Sequence, residues 1–208
     1  MSTASTRTQR PSILAFLKAP VAGTVKTRLA KEIGNEKALE AYRWLVERQL
    51  SDLPRDWNLE IHYAPSNSLQ LMREWLGSER FYIPQCEGDL GKRLVHGIAD
   101  CFKRGANTVH CIGGDCPTLG PTEFCLAERH LTEGTDLVYG PAFDGGYYLI
   151  SLRKPAHEVF EGIPWSSEQT LTESLKKAEQ HSYSFRLLPA HSDVDELTDW
   201  QKLRVDPI

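Results

Sequence analysis

The residues best placed to do chemistry fall in short motifs that each follow an apolar run. Lys18-Ala-Pro-Val-Ala-Gly-Thr-Val-Lys-Thr-Arg-Leu29 comes directly after Ile13-Leu-Ala-Phe-Leu17. A strand ending at Lys18, a turn at Pro20 and Gly23 and a helix entered through Thr24 would gather free amides and the cations Lys18, Lys26 and Arg28 around one hollow. Such a hollow suits phosphate, because amides donate, a helix N-terminus favours anions and cations neutralise charge. An ordinary strand–turn–helix with solvated cations is the competing reading. Neither GxxxxGK[ST] nor GxGxxG occurs, so a Walker loop and a dinucleotide fingerprint are excluded.

Three further motifs follow expected strands. In Glu87-Gly-Asp-Leu-Gly-Lys-Arg93, Gly88, Asp89 and Arg93 are candidates to approach a ligand, against the plainer reading of a capped helix start. In Val109-His-Cys-Ile-Gly-Gly-Asp-Cys-Pro117, Gly113 and Gly114 leave space beside the backbone and Asp115 stands at a strand end. A carboxylate there can take a hard divalent cation that bridges phosphate oxygens, or can simply form the turn before Pro117. In Gly140-Pro-Ala-Phe-Asp-Gly-Gly-Tyr-Tyr-Leu-Ile150, Asp144 could orient a hydroxyl or amine, with Gly145 and Gly146 admitting substrate close to the backbone. A plain hairpin is the alternative, since Asp-Gly is a common turn pair.

Trp165 offers an aromatic lip or a packed ring, and Ser192-Asp-Val-Asp-Glu-Leu-Thr-Asp199 returns two acids, Asp193 and Asp195. Asp195 could instead be only the N-cap of the last helix. One basic loop, one acid at a strand end and a late second acid make a constellation for Mg²⁺–nucleotide binding. The expected nucleotide contacts are Lys18, Pro20, Gly23, Thr24, Lys26, Arg28, Gly88, Asp89, Arg93 and Gly114. Acceptor contacts are expected at Asp144, Gly145, Gly146, Tyr147 and Trp165, and a Mg²⁺ or Mn²⁺ ion at Asp115 and Asp195. Lys26, Arg28, Asp115 and Asp144 are the candidates for the catalytic step. The seven histidines are scattered, and His110 reads as a core or sheet-face residue.

The elements that must position these groups alternate. Strands are predicted at 12–18, 59–64, 80–85, 107–113, 136–140, 146–152 and 184–188. Between the first two, Leu39, Tyr42, Leu45, Val46 and Leu50 recur near the helical period. Further helices are expected at about 68–77, from Leu90 to Lys103 with Asp89 as N-cap and Gly105 as stop, and from Pro121 to about Glu133. Ser166-Ser-Glu-Gln169 has capping-box spacing ahead of a helix to about Gln180, and Asp195–Leu203 reads as a last helix. Strands alternating with helices specify an α/β protein: a three-layer α/β/α, Rossmann-like, mainly parallel sheet. Ligands then belong beyond the carboxyl ends of the strands.

The 208 residues suit one domain over 11–208, after an unstructured lead-in at 1–10. A net charge of −4 argues against a nucleic-acid coat or a membrane-surface binder. No apolar run reaches the roughly 20 residues that span a bilayer. An odd count of five cysteines, with no secretory signal and no CxxC pair, fits free thiols in a reducing cytoplasm.

The segments KAPVAGTVKTRLA, EGDLGKRL, GGDCPTL, PAFDGGYYLISL, IPWSSEQT and DVDELTDW, in this order over nearly the whole chain, resemble the glycosyltransferase-A superfamily. Within it the chain is most similar to the radical-SAM/selenodomain-associated transferases; phospholactate guanylyltransferases of the same fold resemble it around Lys26-Thr-Arg-Leu29, and that fold also includes molybdenum-cofactor nucleotidyltransferases. The resemblance implies a nucleotide-diphospho-sugar transferase fold and divalent-metal-dependent transfer, with Asp115 the first metal acid and Asp195 the second. Glu196 and Thr198 depart from the family pattern, which has Thr and Glu there, so Asp193 stays open as the second acid. The expected function is glycosyl or nucleotidyl transfer from a nucleotide or nucleotide-sugar donor to a small-molecule acceptor. A non-catalytic nucleotide or sugar-nucleotide binder is the alternative, and a homodimer is compatible with either.

Overall fold

The alternation within the first strand decides the layering. In the computed structural model, which describes residues 10–205, β1 (Ser12–Lys18) turns Ile13, Ala15 and Leu17 to one apolar cluster and Leu14 and Phe16 to another. Both faces are covered, as expected for a central strand of a parallel sheet. The first cluster receives Tyr42, Val46 and Leu50 of α2 (Asn35–Ser51), Met72 and Leu76 of α3 (Leu69–Leu76), and Phe124, Ala127 and Leu131 of α5 (Pro121–Thr132). The second receives Leu94 and Ile98 of α4 (Leu90–Lys103), Ala178 of α6 (Thr170–Gln180), and the 3-10 turn His157–Phe160. Two helical layers thus enclose the sheet.

The remaining strands are β2 (Asn58–Ala64), β3 (Phe81–Pro84), β4 (Val109–Ile112), β5 (Leu137–Pro141), β6 (Tyr147–Leu152) and β7 (Phe185–Leu187). Their order is β3-β2-β1-β4-β6-β5-β7. Only β6 runs against its neighbours β4 and β5; the other pairs are parallel. This is the expected three-layer, mainly parallel architecture. Of the expected lead-in, residues 1–9 lie outside the described residues. No helix among the described residues is long and apolar enough to cross a membrane. All five cysteines are free thiols.

Two local expectations need correction. The helix after the first loop starts at Thr27 rather than Thr24, as the short α1 (Thr27–Ile33), and Gly34 in a left-handed conformation (φ 87°) separates it from α2. Thr24 instead turns back, its hydroxyl donating to the Val21 carbonyl at 2.8 Å. Ser166 to Gln169 form no capping box, because Ser166 itself is left-handed (φ 61°) and α6 begins at Thr170 without a side-chain cap. The Ser167 hydroxyl accepts from the Gln169 amide at 3.2 Å and makes a local turn there. By contrast Asp89 caps α4, accepting from the Lys92 amide at 2.9 Å.

His110 lies wholly inside, on β4, between the Ser151 hydroxyl at 2.8 Å and the Glu128 carboxylate at 3.1 Å. Burial depresses its pKa more than Glu128 raises it. The neutral ring satisfies both neighbours, donating to Glu128 and accepting from Ser151. Because the folded pKa lies below that of the unfolded chain, only the unfolded state gains a proton as pH falls below about 6.5. Stability should therefore fall on acidification from that point, and His110→Gln should flatten that part of the profile. Denaturant midpoints of both proteins between pH 7.5 and 5 check this; parallel profiles would contradict it.

Candidate functional site

One edge of the sheet collects the carboxyl ends of β1, β4 and β5 and the start of the reversed strand β6. β4 ends at Ile112, opposite Leu149 of β6 and Ala15 of β1, and the chain then runs through Gly113 and Gly114 to Asp115. Gly114 is required by packing: a Cβ there would meet Val46 Cγ2 at 2.7 Å and Leu17 Cδ2 at 2.8 Å. The chain beyond β7 is stitched to the same edge. Leu188 donates to the Tyr139 carbonyl at 2.8 Å, His191 to that of Pro141 at 3.0 Å, and Val194 to that of Asp115 at 3.0 Å. These amide bonds carry Asp193 and Asp195 to the end of β4, across most of the sequence.

Lys26 holds the centre. Its Nζ lies 2.8 Å from Asp195 Oδ1 and 3.3 Å from Asp115 Oδ2, with its side chain only 5% exposed. Arg28 approaches the other Asp195 oxygen at 3.8 Å. Burial works against the Lys26 ammonium, but Asp115 and Asp195 outweigh it and hold its pKa above the ordinary lysine value. Lys26 also occupies the left-handed region (φ 45°, ψ 49°), an unfavourable conformation for a residue with a Cβ, at the start of α1. Cations at a helix start oppose the helix dipole as well. Two acids on one ammonium supply the compensating attraction. Asp195 is not the helix cap: Asp199 Oδ2 accepts from the Asp195 and Glu196 amides at 3.3 and 3.0 Å, ahead of α7 (Leu197–Val205).

Two more carboxylates complete the ring. Asp193 is half-buried, its Oδ1 enclosed and without a hydrogen-bond partner among the described residues. Burial pushes this carboxyl up to about 8, with Asp115 and Asp144 adding to the effect and Lys26 opposing it. Asp144 sits in the β5–β6 hairpin, where its Oδ1 accepts from the Gly146 amide at 2.9 Å. That hairpin is a true tight turn, closed by Gly145 N to Ala142 O at 3.1 Å and Ala142 N to Gly146 O at 3.0 Å. Gly145 (φ 88°) is pressed against the backbone of Glu168, where a Cβ would come within 2.2 Å of a carbonyl oxygen. Its bareness serves the turn and this close packing rather than substrate entry.

A polar cavity of about 730 Å³ opens over this ring, lined among others by Lys18, Lys26, Arg28, Gly114, Asp115, Asp144, Asp193 and Asp195. A second chamber of about 410 Å³ adjoins it and shares Lys18, Asp115, Asp144 and Asp193 with it, while adding Gly146, Tyr147 and Trp165. The two spaces thus bring together both expected metal acids and four of the five expected acceptor residues, but only Lys18, Lys26, Arg28 and Gly114 of the ten expected nucleotide contacts. Pro20, Gly23, Thr24, Gly88, Asp89, Arg93 and Gly145 line neither space. Arg93 is spent on architecture, donating to the Gly88 carbonyl at 3.0 Å and to Gln85 Oε1 at 3.3 Å.

Sequence reasoning misses Tyr42 as a site residue, because its place in the helical period marks it as core. Its hydroxyl accepts from the Lys18 amide at 3.0 Å and donates to the Lys18 carbonyl at 2.9 Å, fixing the end of β1 beneath the polar cavity. Ser166 and Ser167, whose spacing suggests helix caps, border both spaces. No cluster of three or more metal-ligating side chains is preassembled among the described residues. The acids are nevertheless suited to a hard cation, since Asp115 and Asp195 already converge on one positive atom and Asp193 keeps an orphaned oxygen.

Replacing Lys26 with Met leaves these acids to repel one another, and should cost about 1–2 kcal/mol of stability, moderated by the partial exposure of Asp115 and Asp195. Asp195→Asn in the Lys26→Met background should recover part of that loss. Urea unfolding of the four proteins in the cycle reads the coupling; strictly additive losses would contradict it.

Residues 51–167 match the family described as "Uncharacterized protein conserved in bacteria (DUF2064)". Among solved structures, a "putative nucleotide-diphospho-sugar transferase" from Desulfovibrio desulfuricans G20 is 35% identical, with a TM-score of 0.87 over 93% of this chain and 85% of that one. More distant likenesses share the fold. CMP:2-keto-3-deoxy-manno-octonic acid synthetase in complex with CTP superposes with a TM-score of 0.59 at 12% identity, over 94% of this chain and 97% of that one. A Mycobacterium tuberculosis H37Rv protein in complex with manganese gives 0.51 at 14% identity, over 93% and 97%. No protein of curated function matches the sequence. With more than half its length matched and a one-third-identical structural relative, the chain belongs to the DUF2064 family and has the nucleotide-diphospho-sugar transferase fold.

Proposed function

We propose that this protein is a transferase that takes a nucleotide or nucleotide-sugar donor together with a divalent cation, and that the polar cavity holds the donor phosphates. The observation that carries this reading is the Asp115–Lys26–Asp195 junction. A buried lysine in a strained backbone conformation joins two acids from distant parts of the chain at the mouth of a cavity that also receives Lys18 and Arg28. Strain of this kind concentrates at functional sites. A mere structural ion pair would not need the additional cations or the orphaned Asp193 oxygen.

Asp115 and Asp195 would hold Mg²⁺ or Mn²⁺, with Asp193 a further acid on the same cavity wall. The ion, when bound, supplies positive charge to the donor phosphates and the departing group. Lys26 would then turn its ammonium from the carboxylates to a phosphate oxygen, with Arg28 and Lys18 beside it. Charge that develops on pyrophosphate or on a nucleoside diphosphate is thereby met by fixed cations. Asp144, held by the Gly146 amide, would orient the acceptor from the adjoining chamber. Two proteins of this fold, one in complex with CTP and one with manganese, give a precedent for a nucleotide and a divalent cation on such a scaffold.

Turnover should appear for one member of a panel of nucleoside triphosphates and sugar nucleotides, with Mg²⁺ or Mn²⁺. Asp115→Asn should abolish it while the fold survives, and Asp195→Asn should weaken it strongly. Lys26→Ala and Arg28→Ala should each lower nucleotide affinity about tenfold to hundredfold, the loss of a charged hydrogen bond of roughly 1.5–3 kcal/mol. Unchanged affinity in both lysine and arginine variants would overturn the reading. Tight binding without any turnover would mark a sensor instead.

A further inference from the structure

Lys26 stands where an ion bridging the two acids would stand. Its Nζ is 2.8 Å from Asp195 Oδ1 and 3.3 Å from Asp115 Oδ2, so one oxygen of each carboxylate faces the same ammonium. A Mg²⁺ ion held between those two oxygens needs about 2.0–2.1 Å to each. The ammonium and the ion therefore exclude one another, by space and by like charge.

The local charges also tell against an ion that arrives alone. Asp115 and Asp195 bring two negative charges, and Lys26 and Arg28 return two positive ones. A lone divalent cation would meet a pair already neutralised. It would also leave the Lys26 ammonium, with its side chain only 5% exposed, beside it and without a counter-charge. Donor phosphates change both conditions, because they offer the ammonium new oxygens and bring the ion additional negative charge. The exchange needs only side-chain torsions. The Lys26 carbonyl already accepts from the Ala30 amide at 2.8 Å, which anchors the backbone to α1 while Nζ moves.

We infer that Lys26 gates the metal position: it holds a free divalent ion off Asp115 and Asp195 until nucleotide phosphate draws the ammonium away. Metal and nucleotide then bind cooperatively, each raising the affinity of the other by the same factor. The part played by the nucleotide rests on the transferase reading, whereas exclusion of the free ion rests on Lys26 and the two acids alone. The gate predicts a gain of function in one respect, since loss of a cation that serves the donor should improve the site for the metal.

The test titrates Mn²⁺ into the full chain without nucleotide, with free ion read by electron paramagnetic resonance. Lys26→Met, which keeps the length of the stem without its charge, should bind Mn²⁺ at least about tenfold more tightly than the unaltered protein. Asp115→Asn in the Lys26→Met background should remove that gain. Thermal unfolding verifies that each variant is folded, and Mn²⁺ should raise the Tm of Lys26→Met more than that of the unaltered protein. Should Lys26→Met fail to fold, Lys26→Gln, which can still donate to the acids, takes its place with the same expectation. Equal or weaker Mn²⁺ binding by the variant would overturn the inference, as would a gain that survives Asp115→Asn, or no Mn²⁺ binding by either protein. Repeating the titration with nucleoside di- and triphosphates keeps the two readings apart. A gain in the variant beside no nucleotide response in any protein sinks the transferase reading and leaves the gate. Nucleotide-dependent Mn²⁺ binding that the substitution leaves unchanged sinks the gate alone.

Discussion

The contact on which the site depends is a lysine ammonium held between two carboxylates. Lys26 comes from the loop after β1, Asp115 from the end of β4, and Asp195 from the strap that follows β7. Each is delivered by a different part of the topology, so none could be moved without moving a strand end. The attraction also holds Lys26 in a backbone conformation that a side chain disfavours. Charge, strain and topology converge on one atom, Lys26 Nζ.

The sheet explains how that convergence is maintained. β1 and β4 pair in parallel, so their carboxyl ends lie side by side, and β6 returns antiparallel with its first residues at the same edge. The strap from Leu188 to Val194 adds backbone hydrogen bonds to Tyr139, Pro141 and Asp115, and so places the last two acids without a further strand. Glycines at two critical points make the approach feasible: Gly114 lets α2 close on β1, and Gly145 lets the β5–β6 hairpin press on the loop before α6.

Much of this is legible in the sequence because the relevant signals are local. Apolar runs with flanking turn residues mark every strand, and Asp89 and Pro121 mark two helix starts. The acids are legible as types at strand ends. What is not legible depends on distant partners. Thr24 has the composition of a helix entry, yet the helix waits until Thr27 because Lys26 is pulled across to Asp115 and Asp195. Ser166-Ser-Glu-Gln169 has capping spacing, yet packing of Gly145 on Glu168 draws that loop into another shape. Arg93 looks like a ligand cation and is instead consumed by Gly88 and Gln85, while Tyr42 looks like core and instead clamps the end of β1. A residue's type announces what it can do; its partners decide whether it is free to do it.

Under the proposed function, Asp115, Lys26 and Asp195 form a cation-assisted nucleotide site. Water-proton relaxation enhancement by Mn²⁺ measures it most directly, with the full chain and each common nucleoside di- and triphosphate in turn. A protein-dependent enhancement is expected with at least one nucleotide, lost in Asp115→Asn and reduced in Asp195→Asn. No enhancement with any nucleotide, or an enhancement that both substitutions leave intact, would contradict it.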